Sequence, residues 1–417
     1  MKKVFSVLLL ISLLLTCFVG CSLPQKEDVW DGTVATSFAK GVGTENKPFI
    51  IEKASQLAFL AQQVNSGVDY SGKHFALACD LDLNDLEWTP IGNGIHAFMG
   101  FFDGKGHTIK NLKISQSIYY NYEYPTGKKA GYRDSGLFAT AQDAIIRNLK
   151  IDSAIIKIAD ANGGFASVGV LCGTLRTYQS ISVISNINIK NATIMTDFTT
   201  DKAPLSLEFG GAVGKIYAYN NTTTTISLIE TDSIFSFEKG YSSINSVGTI
   251  LGRANVIDSV FNMENCVAYQ TLSVSPEQYY YTVTNDFCGA IGNAQASAKP
   301  FTVKNVFSKL TLNKPALESV MTVPAAIISH AIIGEAYYFA VKDDLDAIGY
   351  KFENVFGCVE HVDIKTGEKK ILTDLYVLPE GPTFSQINCQ GCESLPENHG
   401  FDTAIWNLTD LAKPKLK

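Results

Sequence analysis

Val168-Gly169-Val170-Leu171-Cys172-Gly173, Phe209-Gly210-Gly211-Ala212-Val213-Gly214, Val247-Gly248-Thr249-Ile250-Leu251-Gly252 and Cys288-Gly289-Ala290-Ile291-Gly292 are small apolar runs, each closed by glycine, and their recurrence decides the fold. The closing glycines lie 41, 38 and 40 residues apart. Thirteen residues beyond three of them stands an asparagine, Asn186, Asn265 or Asn305, that opens an apolar segment; after Gly214 the same slot holds Ser227, followed by Leu228. Gly136 with Asn148 repeats the pair at a spacing of 12, and Gly334 with Asn354 repeats it with an insertion. A fixed glycine-to-asparagine distance beside a variable remainder is the signature of stacked coils, whose packed part cannot change length while their loops can. The chain is therefore read as an all-β repeat protein. Alternate residues such as Leu149 and Ile151, or Ile187 and Ile189, are expected to point inward. Asn111, Asn148, Asn186, Asn265, Asn305 and Asn354 are expected to share one corner as an amide ladder, with the glycines at a second corner that has no room for a Cβ.

Outward from the repeats, the N-terminus begins Met1-Lys2-Lys3, runs apolar from Val4 to Phe18 and reaches Val19-Gly20-Cys21-Ser22. Two lysines, an apolar stretch too short for a comfortable span and a small residue before a cysteine read as an export signal. This opening resembles a bacterial lipoprotein signal, which implies that residues 1–20 are removed and that Cys21 is lipidated; ordinary cleavage leaving a free cysteine is the alternative. Residues 21–29 read as a polar tether. From Ala54 to Asn65 the positions Leu57, Leu60, Ala61 and Val64 share one helical face, and Asn65-Ser66-Gly67 ends the pattern. An amphipathic helix over 54–65, in an N-terminal region spanning 30–70, is suited to cover the open end of a stack. The coils are assigned to 71–378, and 379–417 to a C-terminal loop and a closing rung.

Several stretches of this N-terminal part are distinctive: Trp30-Asp31-Gly32, Pro48-Phe49-Ile50-Ile51, Val64-Asn65-Ser66-Gly67, Asp80-Leu81-Asp82-Leu83, Trp88-Thr89-Pro90-Ile91-Gly92 and Phe101-Phe102-Asp103-Gly104-Lys105-Gly106-His107-Thr108-Ile109. Together they resemble the opening of bacterial surface proteins of the GLUG-repeat type. The echo continues at Gly136-Leu137-Phe138 and Gly211-Ala212-Val213-Gly214, and the ending Phe401-Asp402-Thr403-Ala404-Ile405-Trp406-Asn407-Leu408 is similar to that family's closing rung. The resemblance implies a right-handed parallel β-helix on an exported protein, with no shared enzymatic activity.

The chain of 417 residues carries a formal charge of -7 with only four arginines, so no basic stripe points to nucleic acid. Cys172, Cys266 and Cys288 fall within or beside the repeated apolar segments and read as buried small hydrophobes. Cys389-Gln390-Gly391-Cys392 matches CxxC; with export, a local loop disulfide is the leading reading and a metal site using the nearby His399 the lesser one.

Three features could carry chemistry. Asp80, Asp82, Asp85 and Glu87 form the densest acidic patch, where a sugar-cleaving enzyme would look for its carboxylates; their alternation with Leu81 and Leu83 reads more simply as an outward strand face. His107 lies in a tight turn where a structural hydrogen bond is the plain expectation. The tyrosine-dense segments, Tyr119, Tyr120, Tyr122 and Tyr124, then Tyr279, Tyr280 and Tyr281, either cover coil edges or offer rings to a sugar or protein ligand. The reading is a monomeric, lipid-anchored protein of the cell envelope, surface-exposed, with no catalytic residues, metal or cofactor, that binds a glycan or protein through loops on its stack. A polysaccharide lyase or hydrolase on the same fold, or a structural spacer, are the alternatives.

Overall fold

The computed structural model describes residues 27–115, 118–123, 129–159, 164–197, 206–237, 244–274, 284–296, 299–314, 326–330, 333–337, 350–371 and 399–417. The export signal, Cys21, Tyr124, Tyr279 to Tyr281, Cys389 and Cys392 lie outside these residues. The fold is a parallel β-solenoid with one short helix. From Lys129 onward each coil contributes a strand to each of three parallel sheets, while the strands from Asp28 to Ile114 all join the third. Face I holds Lys129–Ser135, Phe165–Gly169, Ser206–Gly210, Ile244–Gly248, Thr284–Cys288 and Ala326–His330; face II holds Phe138–Gln142, Cys172–Thr177, Val213–Ala218, Leu251–Val256, Ile291–Ala296 and Ile333–Tyr337. Face III holds Ile145–Asp152 with Ile155–Ala159, then Ile181–Asp197, Thr223–Phe237, Val260–Val274, Phe301–Lys314 and Tyr350–Asp363.

Register is kept coil by coil, so like residues stack. Ile146, Ile184, Ile226, Met263 and Val303 form one row of the interior, and Ile156, Ile194, Phe235, Leu272 and Leu312 another. Leu149, Ile151, Ile187 and Ile189 point inward as expected and are fully buried. Burial at about 25 cal/mol per Å² of apolar surface favours this register over a one-residue slip, which would turn every row outward.

The repeated glycines sit where faces I and II meet. A Cβ built on Gly173 would lie 2.6 Å from the backbone nitrogen of Ser135, and one on Gly214 would lie 2.4 Å from that of Val168. One on Gly252 would lie 2.8 Å from the backbone nitrogen of Phe209 on face I, as well as 2.4 Å from the Gly214 carbonyl oxygen of the rung before it. The backbones of the two faces approach too closely at this corner for any side chain.

The asparagines bend face III. Asn148, Asn186, Asn265, Asn305 and Asn354 all take the left-handed conformation, with φ between 51° and 55°, which asparagine tolerates best after glycine. Their amides link along the stack: Asn186 Nδ2 donates to Asn148 Oδ1 at 2.8 Å, Asn305 to Asn265 at 3.0 Å and Asn354 to Asn305 at 3.0 Å. Two expectations are corrected. In the coil after Gly214 the bend falls on Leu228 (φ 55°), not on Ser227, because Ser227 pairs with Ser185 and Ile229 with Ile187. Asn111 belongs to a second bend, beside Ser153 and Asn191, and its amide donates to Asp82 Oδ1 at 2.7 Å.

Helix α1, Ala54–Asn65, forms as expected, and Leu57, Leu60, Ala61 and Val64 join the solenoid's core. Its first turn is held by Gln56 Oε1, which accepts the Lys53 and Glu52 N–H groups, and by Asp28 Oδ2, which accepts the Ala54 N–H at 2.7 Å. Asp28–Val29 is thus not tether: it pairs in parallel with Leu81–Asp82 and belongs to the folded body.

The C-terminal segment is also placed differently from the closing rung expected for it. Trp406–Asn407 pairs with Lys415–Leu416 as a small antiparallel ribbon, and Phe401 stacks on Trp406 with centroids 4.4 Å apart. These rings pack on Val267, Phe307 and Phe356, a row on the outside of face III, and Tyr269 Oη donates to the Pro414 carbonyl at 2.8 Å. The segment covers a flank of the stack.

Two stability tests follow from the corners. Replacing Leu228 by asparagine should relieve left-handed strain and reconnect the ladder, raising stability by about 1 kcal/mol in urea denaturation; a loss would mean that the packing of Leu228 outweighs its strain. Gly252→Val should instead lower the melting temperature steeply, and an unchanged melt would contradict the corner geometry.

Candidate binding cleft

Where faces I and II leave their glycine corner they diverge, and a cleft of about 350 Å³ opens between them. Its depth follows from strand periodicity. Asp134, Ser167, Glu208 and Ser246 are in register on face I, and Thr140, Thr174, Lys215, Arg253 and Asn293 are in register on face II. A rung spacing of about 4.8 Å puts Asp134 and Glu208, two rungs apart, about 10 Å from each other.

Each floor carboxylate has its own partners. Asp134 accepts hydrogen bonds from Thr140 Oγ1 and Thr174 Oγ1, both at 2.9 Å. Glu208 accepts one from Lys215 Nζ and one from Ser167 Oγ, both at 3.0 Å, with Arg253 Nη1 at 3.6 Å. Asp134 is 3 % exposed and Glu208 1 %; Asp134 still lines the cleft, while Glu208 lies behind Ser167 and Lys215, which do. Burial raises the Asp134 carboxyl above its ordinary 3.8, and Arg176 with the two threonines offsets only part of that cost. Burial would raise Glu208 too, but Lys215 and Arg253 overcome it and hold Glu208 below its ordinary 4.5. Lys215 is in turn raised: burial opposes its charge and Glu208 more than restores it.

Nearer the mouth the lining changes character. On face I, Tyr132 and Phe165 stack with centroids 5.0 Å apart at 18°. On face II, Tyr217 stacks on Tyr219 at 6.1 Å, and Tyr219 meets Tyr178 at 5.7 Å. Lys215 Nζ lies 4.7 Å over the Tyr217 ring. Arg176 stands among these groups, and its Nη1 donates to the Gly94 carbonyl at 3.0 Å. All of these rings, and Arg176, are half-buried; Tyr132, Tyr178, Tyr217 and Arg176 line the cleft, with Phe165 and Tyr219 stacked beside them. Such a surface can hold a flat or amphipathic ligand between aromatic walls and offer it a guanidinium.

The residues singled out in the sequence lie elsewhere. Asp80 Oδ1 accepts the Thr108 N–H at 2.9 Å and sits 3.1 Å from His107 Nδ1, while Asp82 accepts from Asn84 and Asn111, and Glu87 from Ser115. These acidic groups and His107 hold turns of the N-terminal coils together. Asp85 takes a left-handed turn conformation (φ 52°). Cys79, Cys172 and Cys266 are buried free thiols. Tyr119, Tyr120 and Tyr122 lie on Ile118–Glu123, which pairs antiparallel with Lys129–Asp134 and brings Tyr120 into register with Tyr132. Among the described residues no group of three or more His, Cys, Asp and Glu could hold a metal, and no helix is long and apolar enough to cross a membrane. The cleft residues were missed because they come from separate coils; the local signal is charge flanking the glycine runs, Asp134 before Gly136, Arg176 after Gly173, Glu208 before and Lys215 after the run ending at Gly214, and Arg253 after Gly252.

No protein-family model matches the chain. It is similar to a protein of Evansella cellulosilytica named "Putative Gly-rich membrane protein", 27% identical over 197 residues, covering 46% of this chain and 19% of that protein. It is also similar to halomucin of Haloquadratum walsbyi, 26% identical over 182 residues, covering 41% of this chain and 2% of that protein. The chain thus spans only a small part of the length of either relative. Among solved structures, one from Bacteroides ovatus titled as a "putative immunoglobulin A1 protease" aligns over 91% of this chain and 95% of its own at 16% identity, with a TM-score of 0.41.

The two buried carboxylates should respond oppositely to pH and to neutralisation. Glu208, lowered in the fold, contributes stability above its unfolded value that is lost as pH falls through its folded one; Asp134, raised, contributes below 3.8 and loses that contribution as pH rises through its folded value. At pH 7, Glu208→Gln leaves Lys215 without its charge partner and should cost about 3 kcal/mol. Asp134→Asn should leave stability unchanged or higher. Urea denaturation at pH 7 checks both, and equal losses would contradict the electrostatic assignment.

Proposed function

We propose that this protein is a non-catalytic binding protein of the cell envelope that holds a saccharide in the cleft between faces I and II. The observation that carries this reading is the division of the cleft by depth. Half-buried rings and Arg176 line the mouth, while Asp134 and Glu208 are sunk below it and bonded to protein groups. The edges and hydroxyls of these mutually stacked rings can pack against a sugar and hydrogen-bond it, and rigid rings lose little entropy on doing so. A lyase or hydrolase needs carboxylates free to act on the sugar, and the bonds that Asp134 and Glu208 make to protein groups favour binding over cleavage.

In this reading Cys21 bears the lipid that holds the chain to its membrane, residues preceding the solenoid lead to the stack, and helix α1 covers the stack's N-terminal end. The similarity to a Gly-rich membrane protein and the GLUG-type resemblance of the N-terminal coils support an envelope location. The stack would present the cleft away from the anchor.

Retention of the full-length purified protein on a panel of immobilised polysaccharides, with assays for new reducing ends and unsaturated products, tests this. Retention of at least one polysaccharide without product is expected, weakened about tenfold or more by Tyr217→Ala or Tyr132→Ala. Release of either product would establish an enzyme instead.

A further inference from the structure

The cleft of the proposed function also has a chemical preference, and the inference drawn here rests on that reading. We infer that the saccharide it takes is carboxylated, and that Arg176 receives the carboxylate of one sugar residue held between the Tyr132–Phe165 wall and the Tyr217–Tyr219–Tyr178 wall.

Three features of the geometry lead to this. First, the charges of the floor are used internally: Lys215 is committed to Glu208 at 3.0 Å, and Arg253 lies 3.6 Å from the same carboxylate and donates through Nε to Asn255 Oδ1 at 3.0 Å. Among the described residues, Arg176 is the cation of the lining that no side chain engages at salt-bridge distance. Its recorded hydrogen bond spends one donor on the Gly94 carbonyl, and a guanidinium carries five in a planar fork that matches a carboxylate edge to edge. Second, Arg176 is half-buried between rings, where water is thinned and a charge-assisted pair is stronger than on open surface. The contact at Gly94 holds the fork in place, so little side-chain entropy remains to be lost on binding. Third, Asp134, which feels the charge of Arg176, accepts its hydrogen bonds from Thr140 and Thr174 on the floor, so the guanidinium donors are not bonded to it.

Size and shape fit one sugar residue and part of its neighbour. A cleft of about 350 Å³ lies at the small end of ligand pockets. A neutral sugar would use the rings and leave the fork of Arg176 to water. A small inorganic anion would use the fork and leave the rings. A carboxylated sugar uses both.

The test changes the ligand before it changes the protein. Uronic-acid oligosaccharides and the same oligosaccharides after carboxyl reduction, which replaces each carboxylate by a hydroxymethyl group and keeps every ring, are titrated against the full-length protein by calorimetry. Binding of the acidic form at least tenfold tighter than the reduced form is expected, falling with salt. Arg176→Met should remove that difference while leaving the melting temperature within a few degrees, and Arg176→Lys should restore only part of it. Equal affinity for both forms would overturn the carboxylate inference and leave saccharide binding standing. Binding of neither would overturn both. A preference for the acidic form that survives Arg176→Met would place the carboxylate elsewhere and overturn the assignment to Arg176.

Discussion

Backbone meets backbone at the corner between faces I and II, and the rest of the molecule depends on that contact. A Cβ on Gly214 of face II would lie 2.4 Å from the Val168 backbone nitrogen of face I, and one on Gly252 would lie 2.8 Å from that of Phe209. This closeness brings the two short faces side by side as they leave the corner. Residues one or two positions away on opposite faces then meet through their side chains, which is why Glu208 finds Lys215 seven residues later and Asp134 finds Thr140 six residues later. The cleft is a consequence of the corner: its floor is what the shortest side chains and ion pairs can fill, and its mouth is where the faces have separated enough to admit rings. Face III, turned by asparagines, carries no such crowding and forms the long wall that buries the aliphatic rows.

Much of this was legible in the sequence. The glycine period gave the coil length, and the apolar alternation gave the inward rows. Reading failed where one letter pattern serves two positions. Asn111-Leu112-Lys113-Ile114 and Asn148-Leu149-Lys150-Ile151 share three consecutive residue types and a final isoleucine, yet Lys113 pairs beside Ile155 and the first asparagine turns the second bend, not the first. It failed again at Leu228. The turn after Ala218 is one residue longer than the turn after Thr177, which moves the bend by one and puts an aliphatic residue in a left-handed conformation that sequence rules assign to asparagine or glycine. The C-terminal segment carries Trp406 because it needs a large ring to cover Phe307 and Phe356, and a ribbon on a flank has the same apolar content as a last rung.

The cleft was not legible because stacking, not spacing, assembles it. Asp134, Ser167 and Glu208 are far apart in the chain and adjacent only through register; each alone looks like a polar residue in a strand. The acidic patch from Asp80 to Glu87 drew attention because its members are close in sequence, yet its carboxylates serve neighbouring amides and hydroxyls. In a solenoid, function gathers along rows perpendicular to the chain, and density along the chain is a poor guide to it.

The most direct measurement of the central claim is hydrogen–deuterium exchange of the full-length protein with and without a bound uronic-acid oligosaccharide. Saccharide binding in the cleft requires slowed exchange at residues 131–134, 165–168, 174–178 and 215–219, with the outer side of face III unchanged. Slowing confined to the tyrosine-rich segments 119–124 and 279–281, with the cleft strands unaffected, would contradict it.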